Sequence, residues 1–117
     1  MTTISKQIGD KGEEIARQYL KKQGFQILTQ NYYSKYGEID IIAEKNNSLH
    51  FFEVKTRRPY SINHPLESIT YQKSQRIIKT ALNYLSQNNE NRVWTISLIS
   101  ILLQRHLSPE IEIYPLH

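Results

Sequence analysis

Two short apolar runs in this chain carry charges that strand interiors ordinarily exclude. They are Gly37-Glu38-Ile39-Asp40-Ile41-Ile42-Ala43 and Phe51-Phe52-Glu53-Val54-Lys55-Thr56-Arg57. Their aliphatic and aromatic content marks both as strands, where Asp, Glu and Lys are depleted. Side chains alternate between the faces of a strand, so Glu38, Asp40 and Ile42 share one face, and Glu53 and Lys55 share another. Between the runs stands Lys45-Asn46-Asn47-Ser48, where two asparagines tolerate the positive φ of a two-residue hairpin turn. Counting outward from Asn46-Asn47 pairs Lys45 with Ser48, Glu44 with Leu49, Asp40 with Glu53 and Glu38 with Lys55. Opposed side chains in such a ladder have Cβ atoms about 4.5–5.5 Å apart. Two carboxylates at that spacing destabilise the sheet unless one is protonated or a cation bridges them.

Oxygen-only donors favour Mg²⁺ or Mn²⁺ over zinc. Magnesium takes one or two carboxylates and completes its shell with water and substrate phosphate. Asp40 and Glu53 suffice for that, and the backbone carbonyl of Val54 is a further donor. An ammonium at Lys55 would stabilise negative charge building on phosphoryl oxygens, or hold the attacking water. The metal would activate that water and polarise the phosphate. The chemistry expected is therefore metal-dependent hydrolysis of a phosphodiester. A Glu-x-Lys pair alone also describes a solvated strand face; its register opposite Asp40 sets this one apart.

The elements that must position these residues follow from spacing. Ile8, Ile15, Ala16, Tyr19 and Leu20 predict a helix from Lys6 to Gln23, ended by a left-handed cap at Gly24. Phe25 to Thr29 reads as a strand, and the polar, aromatic stretch Gln30 to Gly37 as a loop. Strands follow over Glu38–Glu44 and Leu49–Arg57, the second ended by Arg58-Pro59. Pro65 suits the first turn of a second helix reaching Gln87, with Ile69, Ile77, Ile78, Ala81, Leu82 and Leu85 on its inner face. Val93–Leu103 and Ile111–Tyr114 complete an α-β-β-β-α-β-β order. That order predicts an α/β fold, a central mixed β-sheet flanked by helices.

At 117 residues the chain reads as a single domain, 1–117, and its composition of 38% hydrophobic and 22% charged residues is that of a globular protein. A net charge of +4 suits an anionic partner such as nucleic acid. The absence of cysteine excludes disulfides, thiolate catalysis and Cys-based zinc sites, and is compatible with a reducing cytoplasm. Met1 to Lys6 lacks the apolar core of a signal peptide. The longest apolar stretch, Trp94 to Leu103, is too short to span a bilayer, so no membrane role is expected.

The runs GEID and EVKTR resemble the D…(D/E)xK signature of restriction-endonuclease-like nucleases. More closely, the chain resembles the bacterial UPF0102 (YraN-like) family. Gly12-Glu13, Ala16, Tyr19-Leu20, Gly24, Asn31, GEIDIIA, EVKTR and Lys73 carry the match in order, over about residues 8 to 101. The resemblance implies a restriction-endonuclease-like core related to Holliday junction resolvases, and a role on nucleic acid. It also implies that Glu13, on the first helix, joins Asp40 and Glu53 as a third acidic residue, and that a homodimer is the form to look for. The chain departs from the family pattern at Ser97, where relatives often carry Asp, and at Tyr33, where arginine is frequent; Lys35 could supply that phosphate contact.

Lys35, Arg57 and Arg58 flank the proposed site, interleaved with Tyr32, Tyr33, Tyr36 and Tyr60. Cations contact phosphates and tyrosines stack on unpaired bases. Lys73, Arg76 and Lys79 stand at three-residue steps on the second helix, and Lys73 is the one that the family pattern marks. His50, His64, His106 and His117 lack metal-ligand spacing. Three readings compete: a Mg²⁺- or Mn²⁺-dependent endonuclease on DNA, structured or branched; a non-catalytic nucleic-acid-binding module on the same fold; and a protein-interaction domain in DNA processing.

Overall fold

Ala16 and Leu20 stand one helical turn apart and are fully buried, with Ile15 and Tyr19 packed beside them. They form the inner face of α1 (Thr3–Lys22). Gly24 follows at φ +92°, and its N–H and that of Phe25 bond back to Lys21 and Leu20, the expected left-handed cap. Then come β1 (Gln26–Ser34), β2 (Gly37–Lys45), β3 (Ser48–Arg57), α2 (Tyr71–Gln87), β4 (Trp94–Leu102) and β5 (Glu110–Pro115). This computed structural model describes residues 3–117. Met1 and Thr2, the start of the N-terminal run, lie outside the described residues, and Thr3 to Lys6 belong to α1. Among the described residues, no helix is long and apolar enough to cross a membrane.

The strands lie side by side in chain order, β1-β2-β3-β4-β5. All neighbours are antiparallel except β3 and β4, which run parallel and are joined through α2. This is the α/β order and mixed sheet expected of a nuclease-like core. One face packs Ile41, Ala43, Phe52, Ile99 and Ile101 against α1. The other packs Ile39, Ile42, Leu49, Phe51 and Ile96 against Ile77, Ala81 and Leu85 of α2. Each of these Ile, Leu and Phe side chains, fully buried, contributes roughly 1.5–3 kcal/mol.

Two expected boundaries are corrected. Gln30 to Ser34 is strand rather than loop, because β1 pairs with β2 as far as Ser34–Gly37 and Tyr32 is held inside by Asn83 and Tyr84. Pro65 opens only a 3₁₀ turn, Pro65–Ser68; Ile69 and Thr70 are extended, and α2 begins at Tyr71 with the Thr70 hydroxyl capping the Lys73 N–H at 3.1 Å.

The feature that positions the site is a fork. Asn46 and Asn47 both have positive φ, and the hairpin pairs Lys45 with Ser48 and Glu44 with Leu49, as the count from the turn requires. The β2–β3 ladder then stops at Ile41–Phe52, so the expected rungs Asp40–Glu53 and Glu38–Lys55 are not made. Beyond that point β2 stays with β1, while β3 stays paired with β4 through Arg57–Leu102. Across from Asp40 on the other side, Asn31 takes φ +52° and makes no rung. The two strands slip together here: Ile39 and Ile42 both join the α2-side core although they stand three residues apart. Non-glycine positive φ inside a strand costs free energy and clusters at functional sites.

Helix α1 reaches this fork because Gly12 lets it. A Cβ at Gly12 would stand 1.8 Å from the Thr56 hydroxyl on β3, whereas one at Gly9 would meet nothing within 4 Å. Gly12→Ala is therefore expected to destabilise the chain by about 1–3 kcal/mol, since α1 must be pushed off the sheet. Gly9→Ala is expected to be neutral or stabilising by up to about 1 kcal/mol through helix propensity. Thermal melting of the two variants checks this; equal melting temperatures would contradict the close approach.

Candidate active site

Every buried backbone N–H needs a partner, and the fork takes one from Val54. Its amide donates to Asp40 Oδ2 at 2.7 Å, so the carboxyl fills the place of a missing β2 carbonyl. In an antiparallel ladder a residue's N–H and C=O face the same neighbour. The Val54 carbonyl is therefore directed into the fork as well. Asp40 is only 9% exposed. Glu53 is the residue before Val54, its side chain 16% exposed, and its Oε1 lies 3.3 Å from the Lys73 ammonium on α2.

The charges here are under-compensated. Burial pushes the Asp40 carboxyl up to about 8, and Glu53, Glu13 and Glu38 push the same way against the Val54 hydrogen bond. Burial also raises Glu53, opposed by Lys73 and, more weakly, by Lys55. Glu13 is raised by burial first and then by Glu38, with Arg17 opposing and smaller contributions from Asp10 and Glu53. Four carboxylates thus feel one another around the fork. A hard divalent cation would relieve this, and two carboxylates with a backbone carbonyl are a donor set that fits magnesium or manganese. Among the described residues, no three acidic or histidine side chains converge closely enough to hold one ion. Glu13 is an electrostatic neighbour of Asp40 and Glu53 rather than a third ligand in this arrangement.

Asp40, Glu53, Lys73 and Arg76 line an open cleft of about 680 Å³ with Glu38, Lys35 and Tyr36. The cleft wall is fixed by Thr80, fully buried, whose hydroxyl donates to the Arg76 carbonyl at 2.8 Å and accepts from Ser34 at 3.3 Å. Tyr36 carries Lys35 and Lys79 at 5.2 and 5.9 Å from its ring centre. A larger groove of about 1050 Å³ lies on the α1 side, lined by Glu13, Lys55, Arg57, Arg58 and Tyr60 among others. Glu38 lines the first cleft and, with Glu13 and Asn31, a third hollow.

Lys55 is exposed. Arg57 donates to the carbonyls of Ser61 and Asn63, so part of its donor set staples the following loop. Arg58 donates to the Tyr60 hydroxyl at 2.7 Å. Ser97 lies opposite Phe52, by alternation on the α1 side with Ile99 and Ile101; the β4 residue beside Glu53 is Leu98. The departure at Ser97 therefore leaves the carboxylate face unaltered. Arg76, placed by spacing only in a three-residue series with Lys73 and Lys79, joins the cleft wall, and Asn31 enters the sequence reading only as part of a family pattern. The usable signal for Asn31 was an asparagine inside a run that pairs as a strand.

Because the folded pKa of Asp40 lies above its ordinary value of 3.8, the folded chain holds this proton more tightly than the unfolded one. Its contribution is full below about pH 4 and is lost as pH rises through about 8. Asp40→Asn keeps an acceptor for Val54 and removes the titration. The metal-free variant should be more stable than the parent at pH 8 by about 1–3 kcal/mol, with the difference shrinking toward pH 4. Denaturant melts at the two pH values test this, and a variant less stable at pH 8 would contradict it.

The family described as Uncharacterised protein family UPF0102 matches residues 12–101. A UPF0102 protein of Chlorobium phaeobacteroides is 38% identical over 117 residues, covering 99% of this chain and 92% of the relative. One of Alkaliphilus metalliredigens is 45% identical over 84 residues, 72% of this chain and 74% of the relative. One of Clostridium botulinum is 48% identical over 85 residues, 73% and 69%. The matched span begins at Gly12, where α1 meets Thr56, and runs to Ile101 on β4, so it contains the fork, all of α2 and the C-terminal part of α1. On that extent of agreement, the chain belongs to the UPF0102 family.

Proposed function

We propose that this protein is a Mg²⁺- or Mn²⁺-dependent endonuclease that hydrolyses phosphodiester bonds of DNA, acting in the cytoplasm on structured or branched molecules. The observation that carries the reading is the fork: two part-buried carboxylates, both raised in pKa, with Lys55 acting on Glu53 and the cations Lys35, Lys73 and Arg76 along the mixed-charge cleft. Asp40, Glu53 and the Val54 carbonyl would hold the cation, whose bound form supplies an activated water and a polarised phosphate. Lys55 offsets charge on the phosphoryl oxygens in the transition state. Lys35, Lys73 and Arg76 meet backbone phosphates along the cleft, with Arg57 and Arg58 in the α1-side groove. Nothing on these walls offers a pattern of base-edge contacts, so selection is by DNA structure rather than by sequence.

One observation favours a second reading. Lys73 already neutralises part of the Glu53 charge without a metal, as a non-catalytic nucleic-acid-binding module would require. Both readings predict DNA binding that weakens steeply with salt. They separate on cleavage. With Mn²⁺ and a panel of branched, flapped, single-stranded and duplex DNA, Asp40→Ala and Glu53→Ala should each lower the cleavage rate by at least about a hundredfold while binding persists. Lys55→Ala should lower it by about 10²–10³-fold. Binding without cleavage by the parent protein would establish the second reading instead.

A further inference from the structure

Lys73 stands at an unusual junction of constraints. Its backbone is pinned, because its N–H caps on Thr70 at the start of α2. Its ammonium is not: it rides on a flexible four-carbon stem, 37% exposed, and reaches 3.3 Å from an oxygen of the much less exposed Glu53. Ser34, Lys35, Tyr36 and Arg76 line the same cleft, open to an incoming phosphate. A divalent cation held by Asp40 and Glu53 would set positive charge directly against this ammonium, and like charges at such separations repel strongly at a part-buried site. Glu53 cannot serve both partners fully.

We propose that Lys73 is an exchangeable counter-ion: it holds Glu53 while the site lacks cation and substrate, and moves to a backbone phosphate of the nucleic acid when a divalent cation takes Glu53. The inference rests on the metal-site reading above and adds a coupling to it. In the free protein Lys73 competes with the cation. Bound nucleic acid draws the ammonium away and so tightens cation binding, and by reciprocity the cation tightens nucleic-acid binding. The protein then loads its site more readily where a phosphate backbone is already in the cleft. A lysine serving simply as a fixed phosphate contact would leave cation affinity in the free protein untouched.

The test uses the full chain and its K73Q and K73R variants, with Mn²⁺ affinity read by calorimetry or by the paramagnetic signal of free Mn²⁺. A phosphorothioate-backbone oligonucleotide serves as a cleavage-resistant probe. In the free protein, K73Q should bind Mn²⁺ at least about fivefold more tightly than the parent, the low end of ordinary coupling between sites. K73R, which keeps the charge, should stay close to the parent. The oligonucleotide should tighten Mn²⁺ binding in the parent, and that gain should shrink at least about fivefold in K73Q. Equal Mn²⁺ affinity in parent and K73Q, or an undiminished gain from the oligonucleotide, would overturn the exchange while leaving the metal site standing. Absence of saturable Mn²⁺ binding in parent and variants alike, or binding unchanged in Asp40→Ala, would overturn the site itself.

Discussion

The hydrogen bond from the Val54 amide to the Asp40 carboxyl is the interaction on which the rest depends. Opening a sheet between two strands leaves a backbone donor unpaired, and a buried orphan of that kind costs about 1–3 kcal/mol. Here the opening is filled by a side chain from the departing strand. That single substitution of carboxyl for carbonyl lets β2 leave β3 at the point where Glu53 begins. It also draws Asp40 into a place where burial and its acidic neighbours oppose its ionisation.

Everything around the fork keeps it open and accessible. Asn31 absorbs the matching irregularity in β1, and asparagine is among the residues that bear positive φ at least cost. Gly12 brings α1 against Thr56 and so delivers Glu13 to the edge of the opening. Thr80 and Ser34 tie α2 to the β1–β2 turn, which sets Lys73 and Arg76 along the cleft wall. The hydrophobic cores on the two faces of the sheet hold these parts at fixed distances while the fork itself stays polar. Charge is the quantity left unbalanced, with the Asp40 and Glu53 carboxyls both pushed up by burial.

Much of this was legible in the amino-acid order because local rules act over a few residues. The Asn46-Asn47 turn set the hairpin register as far as Ile41–Phe52, the last rung before Asp40 and Glu53. Gly24 ended α1 as a left-handed cap must. The fork was not legible, since alternation assumes that a ladder continues, and a side chain that replaces a backbone acceptor breaks that assumption. Gln30 to Ser34 looked like a loop for a related reason: its polar residues face a turn and a cleft, while its pairing is decided by β2. Pro65 suggested a helix start from local preference, but Thr70 offered the stronger cap five residues later. Glu13 entered through family resemblance, and its contact with the site depends on a tertiary approach at Gly12 that spacing cannot reveal.

The central claim is that the carboxyls of Asp40 and Glu53 form one cation site at the mouth of the fork. Crystals of the full chain soaked in manganese chloride test it most directly through the anomalous signal of the metal. The account predicts a peak bounded by Asp40, Glu53 and the Val54 carbonyl. A well-occupied peak elsewhere on the chain, or none at the fork at saturating manganese, would contradict it.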